Sequence, residues 1–218
     1  MHDKIIILDY GSQYTQLIAR RVRDMNVFCE LFAWNTDEKQ LRKPQIKGFI
    51  LSGGPNSIYA ENAPTIPAAV LESGLPILGI CYGMQALAHQ LGGEVISDDR
   101  HEYGLAKLKV SEHNPLIAEG ESVVWMSHGD KVQRMPEGWH ALGSSENCPI
   151  AAMANPAQKR YALQFHPEVR HSRQGERILK NFVLEICQAR PDWTSLSIID
   201  EAVEKIRAQV GDGIVLSA

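Results

Sequence analysis

The chain has 218 residues, 44% of them apolar and 22% charged, the balance of a globular protein with one sizeable core and room for a small appendage. A formal net charge of −4 with scattered basic residues argues against a nucleic-acid footprint or a membrane-surface patch. No run reaches the roughly 18 apolar residues that span a bilayer, and Met1–Lys4 leads into a strand pattern without the apolar core of a signal peptide.

The first hundred residues alternate strand and helix. Lys4–Asp9 is a continuous apolar run ending in an acid, as a buried parallel strand reads. Gly11 and Ser12 turn into a helix whose apolar face is Leu17, Ile18, Arg21, Val22 and Met25. Its Arg20, Arg21 and Arg23 read as a solvated face. Strands are predicted over about Val27–Phe32 and Gly48–Leu51, the latter running into Ser52-Gly53-Gly54-Pro55. A short helix over Pro67–Ser73, a strand over Pro76–Ile80 and a helix over about Gly83–Leu91 follow. Such alternation implies βαβ units and an α/β fold with a mostly parallel sheet. The second half is richer in strands: Leu105–Val110, Ser122–Met126, Trp139–Ser144, Ile150–Asn155 and Arg160–Phe165, closed by a helix over about Gln174–Gln188. Ala189–Thr194 reads as a boundary, so 1–190 forms the main domain and 191–218 an appendage. Ser197-x-x-Asp200 resembles a helix start, and Ile199, Val203, Ile206 and Val210 form an apolar stripe ending at Gly211-Asp212-Gly213. Ile214–Leu216 then begins a strand with no domain of its own.

The strongest local signal is Gly79-Ile80-Cys81-Tyr82-Gly83, between a strand and a helix. The related G-x-S-x-G elbow lifts a nucleophile onto a tight strand-to-helix turn, and here a thiol replaces the hydroxyl. The dipole and free N–H groups of a helix N-terminus favour an anionic sulfur, and the Tyr82 N–H is aimed at an oxyanion. The competing reading is a cysteine packed as a small hydrophobe. Cys29, Cys81, Cys148 and Cys187 form no C-x-x-C pair, so neither a zinc site nor a dithiol is signalled, and a cytoplasmic location with reduced thiols is the simplest fit.

A cysteine nucleophile needs a base. His166, in Gln164-Phe165-His166-Pro167-Glu168, lies at a strand end, where open α/β sheets place their ligands. Glu168 can orient its imidazole as the acid of a Ser-His-Asp triad does. H-x-E also occurs in zinc deaminases, but the downstream P-C-x-x-C that they require is absent from this sequence. His128, in Ser127-His128-Gly129-Asp130, competes for the role, but reads as a structural histidine in a turn with no acid placed as Glu168 is. Ser52-Gly53-Gly54-Pro55 follows a strand, and its glycines let a backbone N–H approach a ligand as a second oxyanion donor. No Lys-Ser/Thr follows, as a phosphate loop would need.

Cys81, His166 and Glu168, with S-G-G-P and C-Y-G-M-Q, resemble the class I (triad) glutamine amidotransferases over about residues 4–188. Asp9–Arg21 (D-Y-G-S-Q-Y-T-Q-L-I-A-R-R) and Met126–Val132 (M-S-H-G-D-K-V) are similar to the glutaminase domains of GMP synthetases. The resemblance implies a doubly wound, flavodoxin-like open sheet, with helices on both faces and the thiol at its carboxyl edge. It implies Gly54 and Tyr82 as the oxyanion donors. It also implies Gln85 at the substrate, and Ser127, Gly129 and Asp130 holding its α-amino and α-carboxylate ends. An Asp130 carboxylate suits an ammonium, the competing reading being a turn-forming Asp. The expected activity is glutamine hydrolysis, with ammonia delivered to a synthetase (ATP pyrophosphatase) domain that aminates XMP. ATP and Mg²⁺ would sit on that domain, and no metal or cofactor is expected in this chain. The apolar stripe would dock against the synthetase and could also favour a homodimer. Two other readings compete. One is a glutaminase for another acceptor, of anthranilate or aminodeoxychorismate type, against which the two specific stretches argue. The other is a non-catalytic binding protein on the same fold, which need not keep the triad.

Overall fold

The computed structural model describes residues 2–211 and 213. The first half comprises β1 (Lys4–Asp9), α1 (Thr15–Asp24), β2 (Phe28–Ala33), α2 (Glu38–Leu41), β3 (Ile46–Leu51), α3 (Ala68–Leu71), β4 (Ile77–Ile80) and α4 (Tyr82–Gln90). The second comprises β5 (Glu94–Val110), β6 (Gly120–Arg134), β7 (His140–Ser144), β8 (Ala152–Asn155), β9 (Arg160–Leu163), α5 (Gly175–Lys180) and α6 (Ser195–Val210).

The strands form one sheet in the order β2-β1-β3-β4-β9-β8-β7-β5-β6. From β2 to β9 every neighbouring pair is parallel. From β9 to β6 every pair is antiparallel. Side chains alternate across a strand, so β1 feeds two cores. Ile5 and Ile7 pack with Ile18, Ala19 and Val22 of α1 and Ile178 and Leu179 of α5. Ile6 and Leu8 pack on the opposite face with Leu41 of α2, Val70 of α3 and Met84 and Leu87 of α4. Covering both faces is what forces β1 to be apolar at successive positions. The expected doubly wound α/β sheet is therefore present, extended by an antiparallel half.

The structure departs from the pattern-based expectation in four places. β5 and β6 are far longer than the alternating segments: Glu94 to Ser97 pair with Asp130 to Arg134, and after a break Glu102 pairs with His128. The buried apolar pair Val95 and Val132 is flanked by polar residues and too short a pattern to register, and Glu102 and His128 are a polar pair that only the ladder brings together. The helix expected over Gln174–Gln188 is α-helical only to Lys180, then π-helical over Asn181–Ile186. The wider turn still buries Phe182 and Val183, and the Cys187 N–H donates to Phe182 O at 2.8 Å. α2 carries too short an apolar pattern to register, and is nucleated by Asp37, whose side chain accepts from Lys39 N. α6 begins at Ser195 rather than Ser197 and stops at Gly211, whose φ is 55°.

Leu196, Ile199, Val203 and Ile206 lie exposed along α6. The expected strand Ile214–Leu216 lies outside the described residues. Among the described residues, no helix is long and apolar enough to cross a membrane.

Candidate active site

β4 delivers Cys81 to the carboxyl edge of the parallel strands, where α4 begins. Cys81 has φ 51° and ψ −105°, a conformation that costs a non-glycine residue about 1–3 kcal/mol. The turn is held on both sides. The Cys81 N–H donates to Leu163 O of β9 at 2.7 Å, and the Gly83 N–H to Ser52 O at 3.1 Å. Both flanking glycines are sterically required. A Cβ on Gly79 would lie 2.6 Å from Gly83 O, and one on Gly83 would lie 2.5 Å from Leu51 O.

The Ser52–Pro55 loop lies directly over this turn. Ser52 Oγ accepts from the Tyr10 N–H at 3.1 Å and donates to Gly53 O at 2.9 Å. A Cβ on Gly53 would meet His166 Cε1 at 3.1 Å, and one on Gly54 would meet Tyr10 O at 2.5 Å. Among the described residues, no acceptor takes the backbone N–H of Gly54 or of Tyr82, the latter in the first turn of α4. Asp9, at the end of β1, closes the neighbouring loop by accepting from Gly11 N at 2.9 Å and Thr15 Oγ1 at 2.7 Å. That loop presents Ser12 and Tyr14 to the site.

His166 follows β9 and is fixed from both sides. Its N–H donates to Trp125 O at 3.0 Å, and its carbonyl accepts from Ser172 Oγ at 2.6 Å. Nδ1 is 2.7 Å from Glu168 Oε1, which leaves the other ring nitrogen for the Cys81 sulfur. Tyr14 packs edge-on against the ring, centroids 5.0 Å apart. Glu168 is fully buried, its carbonyl accepts from Arg21 Nε at 3.2 Å, and its Oε2 has no partner among the described residues. Burial opposes the charge on His166, yet hydrogen bonds to Cys81 and Glu168 and their attraction hold its pKa up at about 10. The imidazolium is therefore the favoured state of His166 between these two neighbours.

β6 forms the opposite wall. Ser127, His128, Gly129 and Asp130 are not a turn, as their composition suggests, but consecutive strand residues. Cys81 Sγ lies 3.6 Å from Ser127 O. Gln85 Nε2 donates to Asp130 O at 2.7 Å and also meets Gln164 Oε1 at 3.5 Å. With its N–H groups engaged in this way, what Gln85 offers the cavity is its carbonyl oxygen. Among the described residues no partner meets the buried Asp130 Oδ2, a cost that a protein avoids unless a ligand completes the pairing. The cavity between these walls has a volume of about 580 Å³, within the range of small-molecule sites, and is lined by Ser12, Tyr14, Gly54, Cys81, Gln85 and Asp130 among others.

His128 is not short of an acid. Its Nε2 is 3.2 Å from Glu102 Oε2, and Glu102 also accepts from Ser145 Oγ. The β5 residue that supplies this acid lies beyond the segment recognised as a strand. Burial lowers the His128 pKa in spite of Glu102. His128 Nδ1 meets Asp130 O at 3.1 Å, so its ring is tied to β6 rather than to the sulfur. Nor is the arginine cluster of α1 simply solvated: Arg21 holds the Glu168 carbonyl, and Arg23 lies over the Trp193 ring. Sequence reasoning did not assign Tyr14, Gln164, Ser172 or Arg21 to the site. Tyr14, Gln164 and Arg21 stand inside motifs already singled out, and nothing local marks Ser172. Cys29 and Cys148 are buried elsewhere, and burial pushes their thiols up to about 11 and about 12.

The model of the glutamine amidotransferase class-I family matches residues 6–186. A GMP synthase [glutamine-hydrolyzing] of Vibrio vulnificus is 51% identical over 219 residues, covering 99% of this chain and 42% of that protein. The same enzyme from Alteromonas mediterranea is 49% identical over 227 residues, covering 99% of this chain and 43% of that protein. The chain thus spans less than half the length of these relatives. A putative GMP synthase subunit of Thermoplasma acidophilum superposes with a TM-score of 0.78 at 29% identity, over 92% of this chain and 98% of that one. A glutamine amidotransferase of Thermotoga maritima shares the fold, with a TM-score of 0.62 at 22% identity over 94% and 93% of the two chains. The family match includes the Cys81 turn, the Ser52–Pro55 loop and the His166–Glu168 pair, and the chain belongs to the class I glutamine amidotransferases.

Proposed function

We propose that the chain hydrolyses glutamine to glutamate and ammonia through Cys81, His166 and Glu168. The observation that carries this reading is the hydrogen-bonded unit of the three residues beside a cavity whose far wall holds the unpartnered Asp130 oxygen. The Cys81 thiolate attacks the side-chain amide carbon. The free N–H groups of Gly54 and Tyr82 stabilise the oxyanion, where loss of one donor costs roughly 10²–10³ in rate. His166, oriented by Glu168, protonates the departing ammonia. It then takes a proton from water as that water attacks the γ-glutamyl thioester. Asp130 pairs with the α-ammonium, Ser127 and Gly129 hold the α-carboxylate end from β6, and the Gln85 carbonyl oxygen faces the substrate.

The ammonia passes to a synthetase domain that uses ATP and Mg²⁺ to aminate XMP, a reading supported by the named activity of the relatives. Residues 1–190 form the amidotransferase unit and 191–218 the connection toward that domain, with the apolar stripe of α6 as contact surface. The setting is the cytoplasm. The test has two arms. Intact-mass analysis after treatment with a glutamine-like electrophile should place the adduct on Cys81. Glutamate release, measured with and without a separately supplied synthetase domain carrying ATP and XMP, should rise with the loaded partner. An adduct elsewhere sinks the mechanism, and equal rates sink the coupling.

A further inference from the structure

Gln164 is fully buried beside the nucleophile and has no place in the mechanism above. Its amide Nε2 is 3.8 Å from Cys81 Sγ, within reach of a sulfur acceptor, and its Oε1 is 3.5 Å from Gln85 Nε2. The polarity of this chain of amides is set at its far end. Asp130 O is a backbone carbonyl and can only accept, so Gln85 must turn its NH₂ toward it, at 2.7 Å. That same NH₂ meets an oxygen of Gln164, which leaves the Gln164 NH₂ facing the sulfur. The Gln164 backbone is held in turn by donation from its N–H to Ala151 O at 2.9 Å. Burying an amide is costly unless its polar atoms are paired, and one of the atoms that Gln164 pairs with is the reacting one.

We propose that Gln164 is a further catalytic residue, donating a hydrogen bond from its amide N–H to the Cys81 sulfur and so easing departure of that sulfur from the γ-glutamyl thioester. This rests on the glutaminase reading. Water adds to the thioester carbonyl and its proton goes to His166. The tetrahedral adduct then collapses: the C–S bond breaks, its electron pair goes to sulfur, and glutamate leaves. The Gln164 N–H meets negative charge that grows during this step and is absent in the thioester, the condition under which a hydrogen bond lowers a barrier. In the first half-reaction the thiolate is already charged and the same donor gives no such gain. The contribution is thus specific to deacylation.

The experiment loads Cys81 from an activated γ-glutamyl ester, which needs no amide cleavage, and follows decay of the thioester by intact mass. Gln164→Leu and Gln164→Glu should slow decay about tenfold, the effect of one modest hydrogen bond, while loading changes less than about threefold. With glutamine, kcat and KM should fall together where deacylation limits turnover, leaving kcat/KM nearly constant. Unchanged decay in either folded variant overturns the proposal. An arm that needs no Gln164 variant compares ¹⁵N-labelled wild type with Cys81→Ala. The Gln164 side-chain amide resonances should move when the sulfur is removed, and coincident resonances overturn the contact. A wild type that loads from the ester but never from glutamine would refute the glutaminase reading, while its thioester decay would still report on Gln164.

Discussion

Asp130→Asn isolates the charge that, on the proposed reading, would pair with the α-ammonium of glutamine. Asp130 Oδ2 is buried and, among the described residues, accepts from nothing. The links between Gln85, His128 and residue 130 run through the Asp130 backbone carbonyl, which the substitution leaves in place. The folded protein therefore loses no hydrogen bond when the carboxylate becomes an amide, and Tm should move by less than about 2 °C, the shift that roughly half a kcal/mol to 1 kcal/mol brings to a chain of this size. Glutamine loses one hydrogen bond between its ammonium and a charged group, about 1.5–3 kcal/mol. That weakens its binding by roughly 10–150-fold. The assay measures KM for glutamine alongside KM for an analogue that lacks the α-amino group, for which the penalty should be no more than about twofold. Equal losses on both substrates, or a Tm lowered by more than about 5 °C, would show that Asp130 acts through the fold and would refute the argument.

Cys81→Ala should abolish glutamate release, whereas Cys29→Ala, Cys148→Ala and Cys187→Ala should keep it, because those thiols are buried away from the cavity; activity surviving in Cys81→Ala would end the case for the nucleophile. Gly83→Ala places a carbon 2.5 Å from Leu51 O, and since that neighbour is backbone the turn must open. Glutamate release should drop at least about a hundredfold, as a misplaced reacting group costs, and a variant with wild-type kcat would show that the turn is more compliant than its geometry implies. The folded pKa of His166, about 10, lies above the unfolded 6.5. The stabilisation from its charge is therefore full below about pH 6.5 and is lost as pH rises through about 10. Glu168→Gln removes one of the groups that raise it, so Tm should decline less steeply over that window than in wild type; identical slopes would count against the ion pair.

The parallel half of the fold is legible because its physics is local and repetitive. A run such as Ile5–Leu8 can be satisfied only between two covered faces, and Gly79 and Gly83 announce a turn that no other residues could close. The cluster of Cys81, His166 and Glu168 is legible for the same reason: Cys81 is centred between Gly79 and Gly83, and His166 and Glu168 flank Pro167. What stays hidden is settled by partners distant in sequence. Glu102 and His128 identify each other only when β5 and β6 pair, so Ser127–Asp130 reads as a turn from its small and polar residues. Arg21 is an ordinary solvated arginine until the chain brings Glu168 beneath it, 147 positions away. Gln164 stands two residues before His166, in plain view, but the way its amide faces depends on the polarity of a carbonyl on another strand.

Because β1 is apolar toward both cores, sliding it by one residue would exchange the two sets of side chains at little hydrophobic penalty. Burial therefore does not fix where this strand stops along its neighbours. The polar residues at its ends do. Lys4 reaches Glu30 at 3.1 Å and lies over the Phe28 ring at one end, and Asp9 closes the Gly11–Thr15 turn at the other. They act as two stops on an otherwise sliding element. One residue of slip is about 3.3 Å, enough to carry Ser12 and Tyr14 away from His166. A half-buried lysine and a loop-forming aspartate, neither of which lines the cavity, thus set the longitudinal alignment of the Gly11–Thr15 loop, while the large apolar side chains between them hold the strand in place without deciding where that place is.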